Sequence, residues 1–238
     1  DLLAPTLKRL SMFVLRAKVR LSDATAEFAL YGLAGSAVET IAGSARPAWA
    51  KADFGSESVV HLYPAMGQPR ALWVGPADAP APAGPALDAG LWLWSEVRSG
   101  VATLSAPVVD LFVPQMLNYE SVGGVNFHKG CYPGQEVVAR SQFRGTLKRR
   151  AYLAHAQQPL ATGMEVFTPE DLEQATGTVV QAAPAPGGGW DAIVSMQTSS
   201  ADQPLLAHAA LGEGQRGDAA QAVALQLKPL PYALREDI

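Results

Sequence analysis

The spacing of apolar residues changes along the first third of the chain from that of a helix to that of strands. A helical period is carried by Leu2, Leu3, Leu7, Leu10, Phe13 and Val14, before the polar residues Ser22, Asp23 and Thr25 interrupt it. Residues 27–35 (EFALYGLAG) predict a buried strand, and residues 36–43 predict a short helix that ends at Gly43. Further strands are predicted at residues 59–64 and 70–76. This order predicts an α+β layer with helices on one face of a mostly antiparallel sheet.

A segment rich in proline and alanine separates this layer from the middle of the chain. Residues 76–86 contain too many of these residues for the interior of a helix or strand, so they predict a loop or linker. A helix is predicted to follow and to end at Gly100, with Leu87, Leu91 and either Trp94 or Trp92 on its inner side.

From residue 145 onward the chain consists of short strand-like runs between proline and glycine clusters such as PAPGGG. The runs are RRAYLAHA, MEVF, ATGTVVQAA, WDAIVSMQ and AVALQL. Closely spaced short strands are typical of a small β-barrel or sandwich. We therefore predict two domains, an α+β region at residues 1–144 and an all-β domain at residues 145–238.

Composition narrows the class of protein. A chain of 238 residues, 48% of them hydrophobic, can bury a full core. No run approaches the roughly 20 apolar residues that cross a bilayer, and no export signal is recognisable. The single cysteine, Cys131, cannot form an internal disulfide, which suits a reducing compartment and leaves a thiol for chemistry. These features predict a cytoplasmic protein without a membrane segment, and we expect a monomer.

Positive charge is concentrated in one short segment. The net charge is −4, yet residues 129–150 hold six of the 18 Lys and Arg residues and one of the 22 acidic residues, Glu136. Such a segment is either a solvated positive face or a seat for an anion, such as a glutamate tail or RNA phosphate. The residues alone leave these alternatives open.

The sequence KGCYPGQE at residues 129–136 combines a thiol with a lysine and an irregular backbone. Two glycines and Pro133 precede EVVAR, which has helix-forming character, so Cys131 is expected in an accessible loop just before a helix N-terminus. The positive end of a helix, together with Lys129, favours thiolate over thiol. The alternative is that Cys131 is a small apolar core residue, as lone cysteines often are.

This segment carries a resemblance to a known family. Residues 129–140 (KGCYPGQEVVAR) match in full the signature K-G-C-(aromatic)-x-G-Q-E-x-x-x-R of the YgfZ family, and the flanking FVPQMLNYESVGGVNF and FRGTLKRR resemble the same family. The ending LKPLPYAL is similar as well. The resemblance therefore extends over essentially the whole chain and is tightest at residues 112–150.

The YgfZ resemblance implies a fold related to the glycine-cleavage T protein. It implies a folate-binding α+β region followed by a small C-terminal antiparallel β-barrel, with tetrahydrofolate or another folate derivative as cofactor. The family supports assembly or repair of iron–sulfur enzymes, including those that thiolate tRNA. The expected partners are thus folate, transiently bound iron–sulfur enzymes or assembly proteins, and tRNA.

The resemblance also implies roles for individual residues. Cys131 is expected to be the essential thiol, with Lys129 and Arg140 shaping its surroundings. Trp92 falls at a folate-contacting tryptophan, and an indole face can stack on a pterin ring. Core packing of Trp92, with Trp94 as the ligand contact instead, is the competing interpretation. The full set of expected cofactor contacts is Trp92, Tyr132, Gln135 and Glu136.

Two departures from the family pattern bear on the folate. Where relatives carry a glutamate in the sequence I-E-A-G, this chain has VRSG at residues 97–100, so Arg98 replaces an acceptor for pterin N–H groups. The family's other folate-contacting tryptophan, and the aspartate of true aminomethyltransferases, belong upstream of Asp1. We accordingly expect the N-terminal part of the family fold to lie outside this chain.

Three functions compete. The first is a folate-binding accessory protein for iron–sulfur enzymes, the second is a tetrahydrofolate-dependent aminomethyl or one-carbon transferase, and the third is a tRNA-binding module supported by the basic run at residues 144–150. Cys131 favours the first, because the transferases lack a KGC sequence at this place. The four histidines and one cysteine show no metal-ligand spacing, so no metal site is predicted.

Overall fold

The computed structural model describes residues 1–44, 46–143, 147–208 and 222–235. The chain forms two compact units, Asp1–Leu87 and Asp88–Ile238. The domain boundary predicted at residues 144 and 145 falls on residues 144–146, which lie outside the described residues. The compact units separate earlier, after Leu87, because the elements that follow Asp88 pack on the strands of the C-terminal barrel.

The first unit contains two helices and a four-stranded sheet among its described residues. The helices are α1 (Leu3–Ser11) and α2 (Ser36–Ala42), and the strands are β1 (Phe28–Ala34), β2 (Lys51–Phe54), β3 (Glu57–Ala65) and β4 (Gln68–Pro76). The sheet order is β1-β4-β3-β2 with every neighbouring pair antiparallel. These elements confirm the predicted α+β layer. Apolar spacing does not predict β2, because Ala52 is its one buried side chain.

The core of the first unit lies between α2 and one face of the sheet. Val38 and Ala42 of α2 are buried with a set of strand residues, namely Leu33, Val59, Ala71 and Trp73. The buried indole of Trp73 donates from Nε1 to Glu57 Oε2 at 3.2 Å, which satisfies its polar atom. Helix α1 forms as predicted, but none of its residues is buried.

The second unit begins with helix α3 (Ala89–Arg98). The Asp88 side chain caps it by accepting hydrogen bonds from Gly90 N at 2.8 Å and Leu91 N at 3.2 Å. Val97 is the fully buried residue of α3, and Trp94 packs against the same core. The predicted inner residues Leu87 and Leu91 are wrong, since Leu87 precedes the helix and both side chains are exposed.

Three 3₁₀ turns and one further helix complete the non-strand elements described in this unit. The turns are Ala106–Val108, Pro114–Leu117 and Thr198–Ser200, and the helix α4 is Gln135–Phe143. None of the helices in the described ranges is long and apolar enough to cross a membrane.

Six strands of the described chain close into an antiparallel barrel. They are β5 (Arg149–Ala156), β6 (Glu165–Phe167), β7 (Gly177–Pro184), β8 (Trp190–Gln197), β9 (Leu205–His208) and β10 (Val223–Lys228). The order around the barrel is β10-β5-β8-β7-β6-β9. The predicted C-terminal β-barrel is therefore confirmed. The short strand β9 is the one that the apolar pattern does not predict.

Strand β8 is buried on both faces, and this explains where the compact units separate. Ala192, Val194 and Met196 point into the barrel core, whereas Ile193 joins a second core outside it. The outer core also contains Val97 of α3 and Leu117 of a 3₁₀ turn. Burying side chains of this size stabilises the fold by about 1.5–3 kcal/mol each. Residues 88–143 consequently form one compact unit with the barrel.

Candidate functional site

Cys131 lies in the irregular segment that leads into α4. Residues 130–132 form neither helix nor strand, and the chain turns at Pro133 and Gly134 before α4 begins at Gln135. Gly134 has a φ of 84°, a left-handed conformation that glycine adopts without steric cost. The Cys131 side chain is exposed. The prediction of an accessible thiol in a loop before a helix is confirmed, and the core-residue alternative is wrong.

Helix α4 is fixed to the rest of its unit by its inner face. Val138 and Gln142, one turn apart, are buried. Gln115 of the turn Pro114–Leu117 is fully buried and donates from Nε2 to the Val138 carbonyl oxygen at 2.8 Å. Leaving a buried polar group without its partner costs about 1–3 kcal/mol. The motif is thus carried by a packed helix while its thiol stays accessible.

The predicted site residues of the motif share one segment, and two of them contact each other. The Lys129 ammonium lies 4.6 Å from the centroid of the Tyr132 ring, which is a cation–π contact. Glu136 and Arg140 are exposed on α4, and Gln135 is half-buried at its start. The segment therefore presents a thiol, two cations and a carboxylate to solvent within a short stretch of chain.

An aromatic pair joins the two ends of this segment. The ring centroids of Phe127 and Phe143 lie 5.4 Å apart with an interplanar angle of 66°, an edge-to-face arrangement. Such pairs contribute about 0.5–1.5 kcal/mol beyond the area that they bury. The contact links Phe127, two residues before the motif, to Phe143, the last residue of α4, and so closes residues 128–142 into a loop.

The basic run that follows the motif is used inside the fold. Arg149 donates from a terminal guanidinium nitrogen to the Thr176 carbonyl oxygen at 3.1 Å. Arg150 is buried and forms an ion pair with Glu120 Oε1 at 2.7 Å. Arg144 lies outside the described residues, and Lys148 is exposed. A continuous anion-binding surface at residues 144–150 is therefore not supported, because Arg149 and Arg150 have internal partners.

Asp191 of β8 is a second buried carboxylate with several donors around it. Its Oδ2 accepts a hydrogen bond from Trp94 Nε1 at 2.7 Å and lies 3.6 Å from the Arg98 guanidinium. Its Oδ1 lies 2.8 Å from Nδ1 of His155, the residue opposite it on β5. These contacts tie α3 to the barrel. They also give Arg98 a partner of its own at the position where the family pattern has a glutamate.

Trp92 and Trp94 lie on α3 in different surroundings. The Trp94 ring packs against the outer core and its N–H group is bound by Asp191. Trp92 is half-buried. Trp92 belongs to a different element from the cysteine motif, although both lie in the second compact unit.

The C-terminal segment packs against the end of α3. Tyr232 donates its hydroxyl to the Gly100 carbonyl oxygen at 2.7 Å, and Leu230 packs against the outer core. Gly100 has a φ of 69°, and a Cβ there would lie 2.9 Å from Tyr232 Cε1. Glycine is required at this position both by its conformation and by the close approach of Tyr232.

The sequence pattern did not identify Glu120 and Asp191, the buried carboxylates of the described residues. Asp191 interrupts the apolar run of β8, and a charge within a buried strand signals a paired group. Glu120 has no comparable signal, because it lies in an irregular segment. Within the described ranges, no three His, Cys, Asp or Glu side chains are grouped as ligands for a metal ion.

Comparison with known proteins identifies relatives of this chain, although no family model matches it. The tRNA-modifying protein YgfZ of Serratia proteamaculans (strain 568) is 35% identical over 158 residues, which cover 63% of this chain and 44% of the relative. The protein of the same name from Edwardsiella ictaluri (strain 93-146) is 32% identical over 188 residues, covering 72% of this chain and 53% of the relative. That from Cronobacter sakazakii (strain ATCC BAA-894) is 35% identical over 154 residues, covering 61% and 43%.

The chain spans about half the length of the curated relatives that it matches. Its motif at residues 129–140, with the thiol exposed ahead of a packed helix, lies in a fold that ends in a closed antiparallel barrel. Together with the similarity to several proteins of one name, these features show that the chain belongs to the YgfZ family.

Proposed function

We propose that this chain is a folate-binding accessory protein that supports the assembly or repair of iron–sulfur enzymes, including those that thiolate tRNA. The observation that carries the proposal is the exposed Cys131 within the family motif, held in front of the packed helix α4. The name of the relatives, tRNA-modifying protein, agrees with the tRNA part of the proposal.

The exposed position of Cys131 suits transient binding of a metal or a sulfur species. One accessible thiol can bind a soft metal or a sulfur species, but it cannot by itself supply the several ligands of a stable zinc or iron–sulfur site. The remaining ligands would then come from a client protein.

The residues on α3 fit a folate by ring stacking. The half-buried indole of Trp92 offers an aromatic face to a pterin, whereas the Trp94 ring is held by the core and by Asp191. In the motif, one face of the Tyr132 ring is covered by Lys129, and Gln135 and Glu136 offer amide and carboxylate groups at the start of α4. We propose that Trp92 is the main contact to the ring.

Arg98 changes the way in which a pterin would be held. A guanidinium carries only donors and cannot accept a hydrogen bond from pterin N–H groups. A guanidinium nitrogen of Arg98 also lies 3.6 Å from Asp191 Oδ2, so its charge is balanced by an ion pair within the fold. We propose that stacking replaces this hydrogen bond and that the chain binds folate more weakly than relatives that carry the glutamate.

The test measures the role of the Cys131 thiol separately from the role of the Trp92 contact to folate. Tetrahydrofolate and folinic acid are titrated into the full chain and followed by calorimetry, and each variant is also tested for rescue of iron–sulfur-dependent growth in a strain lacking the family protein. Cys131→Ser should abolish rescue and leave folate affinity unchanged, because serine ionises far less readily and is a poor ligand for soft metals. Trp92→Ala should weaken folate binding by about tenfold while thiol labelling is retained.

Three results would decide against the proposal or one of its parts. Full rescue by Cys131→Ser would make the thiol dispensable, and turnover of a one-carbon donor that survives this substitution would favour the transferase alternative. Equal folate affinity of Trp92→Ala and the parent would reject the stacking contact. Trp92→Phe is the matched control, because it keeps an aromatic face and should retain most of the affinity.

A further inference from the structure

Helix α4 presents a face of mixed character to solvent. Val137, Arg140 and Phe143, spaced three residues apart, lie along one side of the helix. These three residues are the α4 face. All three are exposed, with Phe143 at 66% of its full accessible surface. The opposite side of α4 is the packed one, with Val138 and Gln142 buried. The apolar residues of the α4 face therefore do not serve the internal packing of the helix.

A second ring extends the α4 face beyond the helix. Phe127 meets Phe143 edge to face, with 5.4 Å between centroids. Lys129 follows Phe127 by two residues, which places its backbone within about 7 Å of Phe127 along the chain. The aromatic pair, with Phe143 exposed and Phe127 half-buried, therefore has an exposed cation close to each ring along the chain, Arg140 one turn before Phe143 and Lys129 two residues after Phe127. The exposed acid of α4 is Glu136, at the other end of the helix.

The charge of this place is opposite to that of the chain as a whole, whose net charge is −4. It is also distinct from the basic run at residues 147–150, since Arg149 and Arg150 are bound to Thr176 and Glu120. Lys129 contacts the Tyr132 ring, and Arg140 lies one turn before Phe143 and one turn after Glu136 on α4. Exposed rings next to cations are the combination with which proteins bind single-stranded nucleic acid, by stacking on bases and by pairing with phosphates.

We propose that the α4 face, together with Phe127 and Lys129, binds single-stranded RNA. One base stacks on the exposed face of Phe143, and Arg140 and Lys129 pair with the flanking phosphates. Unpaired RNA is favoured over a duplex, because a ring can stack only on a base that is not stacked within a helix. RNA is favoured over a protein partner, because the few apolar side chains are too small an area for a stable protein interface. The inference deepens the proposed function, since it names the surface that would contact tRNA.

The test measures binding of a fluorescein-labelled single-stranded oligouridylate to the full chain by anisotropy over a range of salt concentrations. Phe143→Ala should weaken binding about tenfold, the loss expected for one base–ring contact. Arg140→Ala should lower the slope of log affinity against log salt by about 0.7, the value for one phosphate contact on a single strand. Arg140→Lys should keep the slope, because it keeps the charge.

The matched controls lie in the first unit, on exposed residues of the same types. Phe54→Ala and Arg46→Ala remove an exposed phenylalanine and an exposed arginine that are not part of α4, and they should leave the affinity and the slope unchanged. Equal losses in the controls and in the α4 variants would overturn the proposal. Tighter binding of the same RNA after annealing to its complement would also overturn it. The absence of saturable RNA binding by the parent would overturn it too and would favour a protein partner for the α4 face.

Failure of this inference can be told apart from failure of the proposed function. If the parent does not bind RNA but Cys131→Ser still abolishes rescue of iron–sulfur-dependent growth, the thiol function stands and the RNA surface is rejected. If RNA binding depends on Phe143 and Arg140 as expected but Cys131→Ser rescues fully, the surface stands and the thiol function is rejected.

Discussion

Residues 129–143 and residues 147–156 contain similar cations that have different surroundings. In the first stretch Arg140 is exposed on a helix and Lys129 contacts the Tyr132 ring. In the second, Arg150 is buried in an ion pair with Glu120, and Arg149 donates to a backbone carbonyl of the barrel. The two stretches are neighbours in the sequence, yet one presents its charge to solvent and the other uses it to hold elements together.

The difference follows from whether other elements cover the cation. A cation on a strand that is covered by other elements loses its hydration and needs a partner, which Glu120 supplies to Arg150. A cation on the outer side of α4 keeps its hydration and remains accessible to a ligand. A cluster of cations in a sequence therefore predicts an anion-binding surface only where those cations are exposed in the fold.

The largest effect is expected from breaking the buried pair. Glu120→Gln removes the charge that balances Arg150 and should lower the free energy of unfolding by about 3–5 kcal/mol, as for other buried pairs that lose one partner. Urea unfolding measures the loss. The double variant Glu120→Gln with Arg150→Met should recover much of it, because no charge is then left buried without a partner. A loss below about 1 kcal/mol for the single variant would contradict the structural role.

A smaller loss is expected at Asp191. Asp191→Asn removes the charge that Trp94, Arg98 and His155 share, and hydrogen bonds to charged groups contribute about 1.5–3 kcal/mol. We expect a decrease of about 2 kcal/mol in the free energy of unfolding. The matched control is Asp53→Asn, whose ion pair with Lys51 is exposed to solvent, so this substitution should leave the free energy of unfolding almost unchanged. Equal effects at the two positions would refute the assignment of Asp191.

Tyr119 provides a test that depends on pH. Its hydroxyl donates to the Ala102 carbonyl oxygen at 2.7 Å, and burial raises the pKa of Tyr119 above its ordinary value. Its stabilising contribution is therefore full below about pH 10 and is lost as the pH rises further, because the unfolded chain releases the proton first. Tyr119→Phe should lower stability by about 1 kcal/mol at neutral pH and reduce the alkaline loss. An unchanged alkaline slope, measured by urea unfolding from pH 8 to 11, would contradict the assignment.

The smallest effect on stability is expected at Cys131. Cys131→Ser changes an exposed side chain and should alter the free energy of unfolding by about 0.5 kcal/mol or less. In the folded parent, a thiol reagent should label the single cysteine fully without denaturant. Labelling that requires unfolding, or a loss of stability comparable with that at Asp191, would show that the thiol is structural.

Much of the fold could be predicted from the spacing of apolar residues. Helices α1, α2 and α3 and strands β1, β3 and β4 lie close to their predicted positions, and the short runs after residue 145 form the barrel. Strands β2 and β9 could not be predicted, because short strands contain too few residues to establish a period of two. The exposed loop of Cys131 was predictable because glycine and proline act on the local backbone.

The sequence by itself determined the elements, the motif at residues 129–140 and the accessible thiol, because these depend on neighbours along the chain. The tertiary structure alone decided which charges are buried and where the compact units separate. Asp191 meets Trp94 at a separation of 97 residues, and Arg150 meets Glu120 at a separation of 30. Pairing over such distances follows from the closure of the barrel and the packing of α3 on it, and no local pattern of residues encodes it.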